Sequence, residues 1–353
     1  MDKKQKYKTP SELRFDLISR DWVVIATGRA KRPETFKQER RKTDEMSQAE
    51  CPFCNIETQE KPVLIYSPSA KISEEEMARL ENGNGIVPKD WTIVVIPNKY
   101  PAFTPCESLD KEREGRFYQR MNAAGYHEVL VTRDHKKSMG QFEIKEIKEI
   151  IDAYQERYLN LMKKTFVNYV SIFHNHGREA GASIAHPHSQ IITTPLIDSD
   201  LKKALSNSKN YYERTGKCSY CQMNEWEKKS KKRIVFENRE FLVVCPFASK
   251  GAFEVIISPK FHKAYFEKIT ENEKRQLSEA FQMAFGKIHR GLSDPAYNFY
   301  LHTAPADGKN HNYYHWHWTI MPKTATWAGF EIGTRMEIST IEPEKAAEYL
   351  RKQ

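Results

Sequence analysis

The apolar positions of this chain change period along its length, and the changes mark its elements. Short β-rich apolar runs occur at 92–97, 128–132, 169–173, 241–245, 254–258 and 297–301, each with the length and composition of a strand. After the second of them, Ile144, Ile147, Ile151, Tyr154, Tyr158 and Leu161 recur at steps of three and four, the period of one helix face. A second helix is predicted to open at Thr270-Glu-Asn-Glu273, because threonine and the glutamate three residues later can satisfy each other's backbone N–H groups. The polar stretch 198–217 separates the two sets of runs and holds a helical segment of its own at 201–212.

The pattern repeats. In each half a Cys-x-x-Cys pair is followed by a strand, a strand ending near a histidine, a helix, another strand and a His-x-His. His135 precedes His186 by 51 residues and His262 precedes His315 by 53, a match that chance would rarely give. Strands mixed with one long helix per half predict an α+β fold, each half a mainly antiparallel sheet backed by a helix and the two related by internal duplication. The expected boundaries are 1–197 for the first half, 198–217 for the linker and 218–353 for the second half.

Composition narrows the class. With 353 residues and 39% hydrophobic content, the chain can bury one large core or two modest ones. It has neither a run of about 18 apolar residues nor a charged-then-apolar leader, which points to a cytoplasmic protein without a membrane span. The net charge of +9 is gathered in short clusters such as 37–42 and 228–233. Such clusters read as solvated faces and point away from nucleic acid.

Six cysteines in a chain this long do not form a disulfide scaffold. Four of them make the pairs Cys51-Pro-Phe-Cys54 and Cys218-Ser-Tyr-Cys221, which suggest metal or redox chemistry, while Cys106 and Cys245 read as incidental or buried thiols. With the repeated histidines, each half supplies two thiols and two imidazoles, a tetrahedral zinc set. Cys51, Cys54, His135 and His186 form the first set; Cys218, Cys221, His262 and His315 form the second. His127 competes with His135 for the first, but His135 occupies the place that His262 holds in the second half. A closed four-ligand site leaves no position for substrate, so the zinc reads as structural.

The segment 175–190 carries the reactive chemistry. Its glycine-rich loop leads into His186-Pro-His188-Ser-Gln190, and alternation along an extended strand sends the two imidazoles and the carboxamide to one side. If His186 holds zinc, His188 is free to attack phosphorus, since neutral imidazole is nucleophilic near pH 7. His317 stands where His188 does, but Trp316 and Trp318 flank it and no glycine-rich loop precedes it, so it reads as a degenerate copy. His174, His176, His289, His302 and His311 are expected at the surface or satisfied in the core, with His302 and His311 able to line a cleft.

These residues resemble the galactose-1-phosphate uridylyltransferases and their relatives the ADP-glucose phosphorylases, within the histidine-triad superfamily. The resemblance runs nearly end to end: Asp21-Trp-Val-Val-Ile25, Arg29-Ala-Lys-Arg32-Pro33, Cys-Pro-Phe-Cys, Asn98 in Pro-Asn-Lys-Tyr, the 175–190 segment, the late His-x-His, and Gly329-Phe-Glu-Ile-Gly-Thr334. It implies that each half is histidine-triad-like and that His188 forms a covalent nucleotidyl-histidine from a nucleoside diphosphate hexose. Gln190 would bond the transferred phosphoryl oxygens, and the His186 carbonyl would hold the nucleophile's other nitrogen. Arg29, Arg32, Asn98, Asn175, Gly181 and Ser183 match positions around the nucleotide and its phosphates, and Phe330 and Gly333 match the sugar-binding stretch. The resemblance also implies a homodimer and allows iron in the second metal site.

The sugar end departs from the uridylyltransferase pattern. That pattern has a Tyr-Glu pair where this chain has Thr334-Arg335, which puts galactose recognition in doubt and leans toward the phosphorylase form, as does the second Cys-x-x-Cys. No residue reads out uracil against adenine. The leading expectation is a UDP-glucose–hexose-1-phosphate uridylyltransferase, followed by an ADP-glucose phosphorylase using phosphate as acceptor. A dinucleoside polyphosphate hydrolase and a zinc-stabilised nucleotide- or RNA-binding module are the readings from other classes. Gln190 argues against the hydrolase, because hydrolytic histidine-triad proteins usually carry a third histidine there.

Overall fold

The computed structural model describes residues 11–27, 33–36, 46–68, 71–73 and 87–353. The described strands are β1 (Glu12–Phe15), β2 (Trp22–Ile25), β3 (Leu64–Tyr66), β4 (Lys71–Ser73), β5 (Ile93–Pro97), β6 (Glu112–Glu114), β7 (Tyr118–Arg120) and β8 (His127–Thr132), then β9 (Tyr169–His176), β10 (His188–Thr194), β11 (Ile234–Glu237), β12 (Phe241–Val244), β13 (Val255–Pro259), β14 (Tyr297–His302), β15 (His317–Pro322) and β16 (Ile338–Ser339). The described α-helices are α1 (Ile144–Leu161), α2 (Ser199–Thr215), α3 (Ser219–Ser230), α4 (Glu271–Leu292), α5 (Gly329–Thr334) and α6 (Pro343–Arg351).

Eleven strands join in one sheet, in the order β11-β12-β13-β15-β14-β9-β10-β8-β5-β3-β4. Its ladders are antiparallel throughout. From the central β9–β14 ladder the order is the same in both directions: β9, β10, β8, β5, β3 one way and β14, β15, β13, β12, β11 the other. The fold is therefore α+β, with the two sets of strands fused edge to edge. Tyr297 lies opposite His176 and Tyr300 opposite Phe173 at the seam. These polar-tipped ends of β9 extend the predicted apolar run because β14 pairs with them.

Helices α1 and α4 pack together on one face of this sheet. Ile147, Ile151, Tyr154 and Tyr158 of α1 share one buried cluster with Phe281 and Phe285 of α4 and with Trp316 and Trp318 of the second half. The chain thus builds one large core between sheet and helices. Ile144, expected on the apolar face of α1, is 46% exposed because it is the first residue past the cap. The predicted box at α4 is present: the Thr270 hydroxyl accepts from Glu273 N–H, and the Glu273 carboxylate accepts from Thr270 N–H at 2.7 Å. Helix α2 begins where Asp198 Oδ1 accepts from the N–H groups of Asp200 and Leu201 and ends at Gly216 with φ +67°, so the linker is mostly helical. Helix α3 was not expected, because its sequence is polar and rich in lysine without a clear apolar period.

Residues 12–25, on the first-half side of the expected boundary, lie with the last segment of the chain. Strand β2 pairs antiparallel with β1 and parallel with β16, and Arg14 Nη1 reaches Glu344 at 3.0 Å. Among the described residues, no helix is long and apolar enough to cross a membrane.

Strand β8 is pinned to α1 by a buried ion pair. Arg157 donates through Nε and Nη2 to the two oxygens of Glu128 at 2.9 and 2.7 Å, and the side chains are 2% and 5% exposed. Deleting one partner strands the other charge in a medium that cannot solvate it. Arg157→Met should therefore destabilise the fold by about 3–5 kcal/mol in chemical denaturation, with much of the loss recovered when Glu128 is also made apolar.

Candidate active site and metal centres

The first Cys-x-x-Cys is a tight turn. The N–H groups of Cys54 and Asn55 both reach the Cys51 carbonyl, at 3.1 and 3.2 Å, which turns both sulfurs to one side. His135 follows β8 in a loop shaped by Asp134, whose Oδ1 accepts from the N–H groups of Lys136 and Lys137. His186 precedes β10. These three segments bring four donor atoms together: Cys54 Sγ lies 3.2 Å from His135 Nδ1 and 3.5 Å from His186 Nδ1, and the two Nδ1 atoms are 3.2 Å apart. Each imidazole gives its Nε2–H to a backbone carbonyl, His186 to Thr132 at 2.7 Å and His135 to Met46 at 3.0 Å. Both Nδ1 lone pairs are thereby turned inward, the usual support of a metal-ligating histidine. Burial and the neighbouring Cys51 push the Cys54 thiol up to about 11, so a divalent cation is what would hold the pair as thiolates. The residues fit a four-coordinate metal.

The same histidine organises its neighbour. His188 Nδ1–H donates to the His186 carbonyl at 2.8 Å, leaving Nε2 with its lone pair. Phe53, from within the first Cys-x-x-Cys, packs on both rings, 5.9 Å from His186 and 5.0 Å from His188. Burial lowers the His188 pKa from its ordinary value. The intervening Ser189 faces the helices, where its hydroxyl meets Tyr154 Oη at 2.6 Å and His174 Nδ1 at 3.0 Å. His188 and Gln190 share the opposite face, as alternation requires.

Gln190 lies opposite Val129, so His127, two residues earlier, is its diagonal neighbour on the same face. His127 Nε2 is 2.8 Å from Gln190 Oε1, and Asn98 Nδ2 is 3.1 Å from that nitrogen. His127 is thus part of the Gln190 cluster and takes no place in the metal set. Asn175 lies on β9, where its Oδ1 accepts from Asn298 Nδ2 at 2.7 Å; the same amide donates to Ala180 O at 2.8 Å and so ties down the glycine-rich loop. Gly181 adopts φ +87°, and a Cβ there would stand 3.9 Å from Asn175 Nδ2, so glycine is needed for conformation rather than for space. Ser183 is exposed in the same loop.

Other expected residues are not brought to this cluster. Arg29 and Arg32 lie outside the described residues. Phe330 and Gly333 sit on α5, which buries none of its residues, and Phe330 is 49% exposed. The remaining histidines are satisfied locally: His311 bonds Asp307 and Tyr313, both at 2.9 Å, and His176 and His289 share Asp294 Oδ1 at 3.1 Å each. His317 is buried, stacked on His302 with ring centroids 4.7 Å apart, and its Nδ1 is 3.2 Å from the His315 carbonyl. Sequence reasoning missed the roles of Phe53, His127 and Asn298, though the two-residue offset of His127 from Val129 was a usable signal once β8 and β10 were paired.

Cys218 and Cys221 straddle the first turn of α3, and with His262 and His315 they form a second set of four donors within 4.8 Å of one another. His315 Nε2–H donates to Pro259 O at 3.0 Å, and His262 Nε2–H to the Asn312 carbonyl. The inward Nδ1 arrangement is the same, so this set also fits a metal. A cavity of about 710 Å³ opens beside it, between Cys221, His262, Lys263 and Tyr265, whereas the first set packs under Phe53. Purified protein should therefore contain two metal ions per chain, one in each set. Cys54→Ser should reduce this to one by elemental analysis, and a strong chelator should lower the melting temperature because binding to the folded state alone stabilises it.

Comparison with known proteins identifies the family of the chain. A family model described as galactose-1-phosphate uridyl transferase, N-terminal domain, matches residues 2–197, and a domain of unknown function matches residues 118–353. The chain is 31% identical to an ADP-glucose phosphorylase of Arabidopsis thaliana, over 97% of this chain and 92% of that protein. It is 26% identical to a galactose-1-phosphate uridylyltransferase of Thermotoga maritima, over 97% and 98%. A crystal structure of an ADP-glucose phosphorylase from Arabidopsis thaliana with bound ADP-glucose superposes with a TM-score of 0.77 at 29% identity, covering 97% of this chain and 99% of that one. The chain belongs to the galactose-1-phosphate uridyl transferase family.

Proposed function

We propose that this protein transfers a nucleoside monophosphate from a nucleoside diphosphate hexose to a phosphate-bearing acceptor through a covalent intermediate on His188. The observation that carries this reading is the Nδ1–H bond from His188 to the His186 carbonyl, which leaves Nε2 as the free nucleophilic atom on the face shared with Gln190. In the first step Nε2 attacks the α-phosphorus. A P–N bond forms as the bond from the α-phosphorus to the bridging oxygen breaks, and the electron pair leaves with the hexose 1-phosphate. An acceptor phosphate oxygen then reverses the process. That acceptor is already anionic at neutral pH, so no acidic general base is needed.

Gln190 is placed to donate to the equatorial oxygens as charge spreads over them. Asn98, Asn175, Gly181 and Ser183, with Arg29 and Arg32, would surround the nucleotide and its phosphates. The two Cys2His2 sets would hold zinc, whose contribution is fixed geometry at the strand carrying His188. A hydrolase using water would need a proton acceptor at the place of Gln190, which a carboxamide does not supply.

For the donor, ADP-glucose with inorganic phosphate as acceptor is the favoured reading. The higher identity to the phosphorylase and Thr334-Arg335 in place of a Tyr-Glu pair both support it. UDP-glucose with hexose 1-phosphate is the second reading, supported by the end-to-end match to the uridylyltransferases.

Intact-protein mass after incubation with either sugar nucleotide, without acceptor, tests both levels. The expected result is a nucleotidyl adduct on wild type that is absent from His188→Ala. An AMP-sized gain selects the phosphorylase and a UMP-sized gain the uridylyltransferase. No gain from either donor on rapid quenching would remove the nucleophile assignment.

A further inference from the structure

A carboxamide can act on a phosphoryl group in two opposite ways, and only one helps. Turned with its N–H2 toward the developing charge, Gln190 stabilises it; turned with its oxygen there, it repels it. The surroundings of His127 decide between these orientations. Ala102 N–H lies 3.2 Å from His127 Nδ1, and a backbone N–H cannot exchange its polarity as a side-chain amide can by flipping. Nδ1 must therefore be the acceptor, and the ring proton must sit on Nε2.

The consequence passes to the amide. With its proton on Nε2, His127 donates to Gln190 Oε1 at 2.8 Å, which leaves the Gln190 N–H2 facing away from the ring. Among the described residues, that N–H2 has no hydrogen-bond acceptor. Asn98 is fixed in the same way: Tyr100 N–H donates to its Oδ1 at 2.8 Å, so its N–H2, 3.1 Å from the His127 Nε2 donor, is a second amide group without an acceptor among the described residues. Two amides flanking one ring nitrogen, both with donors to spare, describe a place made for an anion.

We infer that His127 is a positioning residue for the transfer, its tautomer set by Ala102 N–H and its Nε2–H holding the Gln190 amide with the donors toward the transferred phosphoryl group. This rests on the function proposed above. The second half of the chain lacks the device. Eight residues before His262, where the first half has His127, stands Glu254, and two residues after His317, where the first half has Gln190, stands Thr319. A carboxylate and a hydroxyl cannot form that donor chain. Burial also lowers the pKa of His127, in keeping with a neutral ring.

The test compares two side chains of the same shape. In His127→Gln an amide N–H can still donate to Gln190; in His127→Glu only acceptors are present, and the Gln190 amide must turn over. Single-turnover formation of the nucleotidyl adduct should stay within about threefold of wild type for His127→Gln. It should fall about 100-fold for His127→Glu, the order seen when one oxyanion donor is lost, with donor affinity little changed. In a Gln190→Ala background the His127→Glu substitution should cost nothing further, because the group it acts through is gone. Equal rates for the two variants, or losses that multiply with Gln190→Ala, would overturn the proposal.

Side-chain nitrogen NMR of the substrate-free protein separates this from the functional reading. It should find His127 protonated on Nε2, and a proton on Nδ1 would overturn the inference even if the adduct forms. A wild type that forms no adduct yet carries the Nε2–H tautomer would instead refute the functional reading.

Discussion

Residue 186 imposes two constraints at once, and the candidate site depends on both. Its imidazole is a buried member of the first Cys2His2 set, fixed by the Thr132 carbonyl on one side and two sulfurs on the other. Its own carbonyl takes the Nδ1–H of His188. A metal bound there would therefore reach His188 through the side chain and carbonyl of His186 and one hydrogen bond. Proline at 187 fixes φ at the one residue between them, which narrows the backbone path from His186 to His188.

The rest of the fold carries this constraint outward. Three chain segments meet at the cluster, and each is anchored by different means: the 51–54 turn by its own backbone bonds, the strand before His135 by the buried Arg157–Glu128 pair, and β10 by ladders on both sides. Alternation along β10 and β15 then divides the labour between faces. Ser189 and Ile191 in one half, and Trp316 and Trp318 in the other, face α1 and α4 and build the common core. His188 and Gln190 in one half and His317 in the other are left on the far face, where the Gln190 cluster lies.

Much of this was legible in the sequence because it rests on short-range rules. The period of α1, the box at Thr270, the strand runs and the repeated order of Cys-x-x-Cys, histidine and His-x-His all survive in the structure, and both ligand sets come together as the matched 51- and 53-residue histidine spacings implied. What escaped was set by pairing between distant strands. Nothing local says that β9 and β14 will fuse two sheets into one, that 12–25 will join the end of the chain, or that His127 will fall diagonal to Gln190 rather than beside Cys51. His127 and His135 share one strand and its exit; the match to His262 selects His135 as the ligand, but the place of His127 beside Gln190 turns on strand register, which sequence alone does not display.

The two halves share an arrangement of ligands and differ in the surroundings of the histidine that follows it. Both halves have two thiols, two imidazoles with carbonyl-bound Nε2 atoms, and a second histidine whose Nδ1 reaches the preceding histidine's carbonyl. They differ in what surrounds that second histidine. His188 is partly open, beside a glycine-rich loop whose Gly181 is left-handed and whose Ala180 carbonyl is tied to Asn298. His317 is sealed between His302 and Tyr220, with ring centroids 4.7 and 5.2 Å away. A nucleophile needs an approach path and oriented donors as well as a lone pair. Around His317 the corresponding positions 254 and 319 carry a carboxylate and a hydroxyl, and its enclosure leaves it no such path.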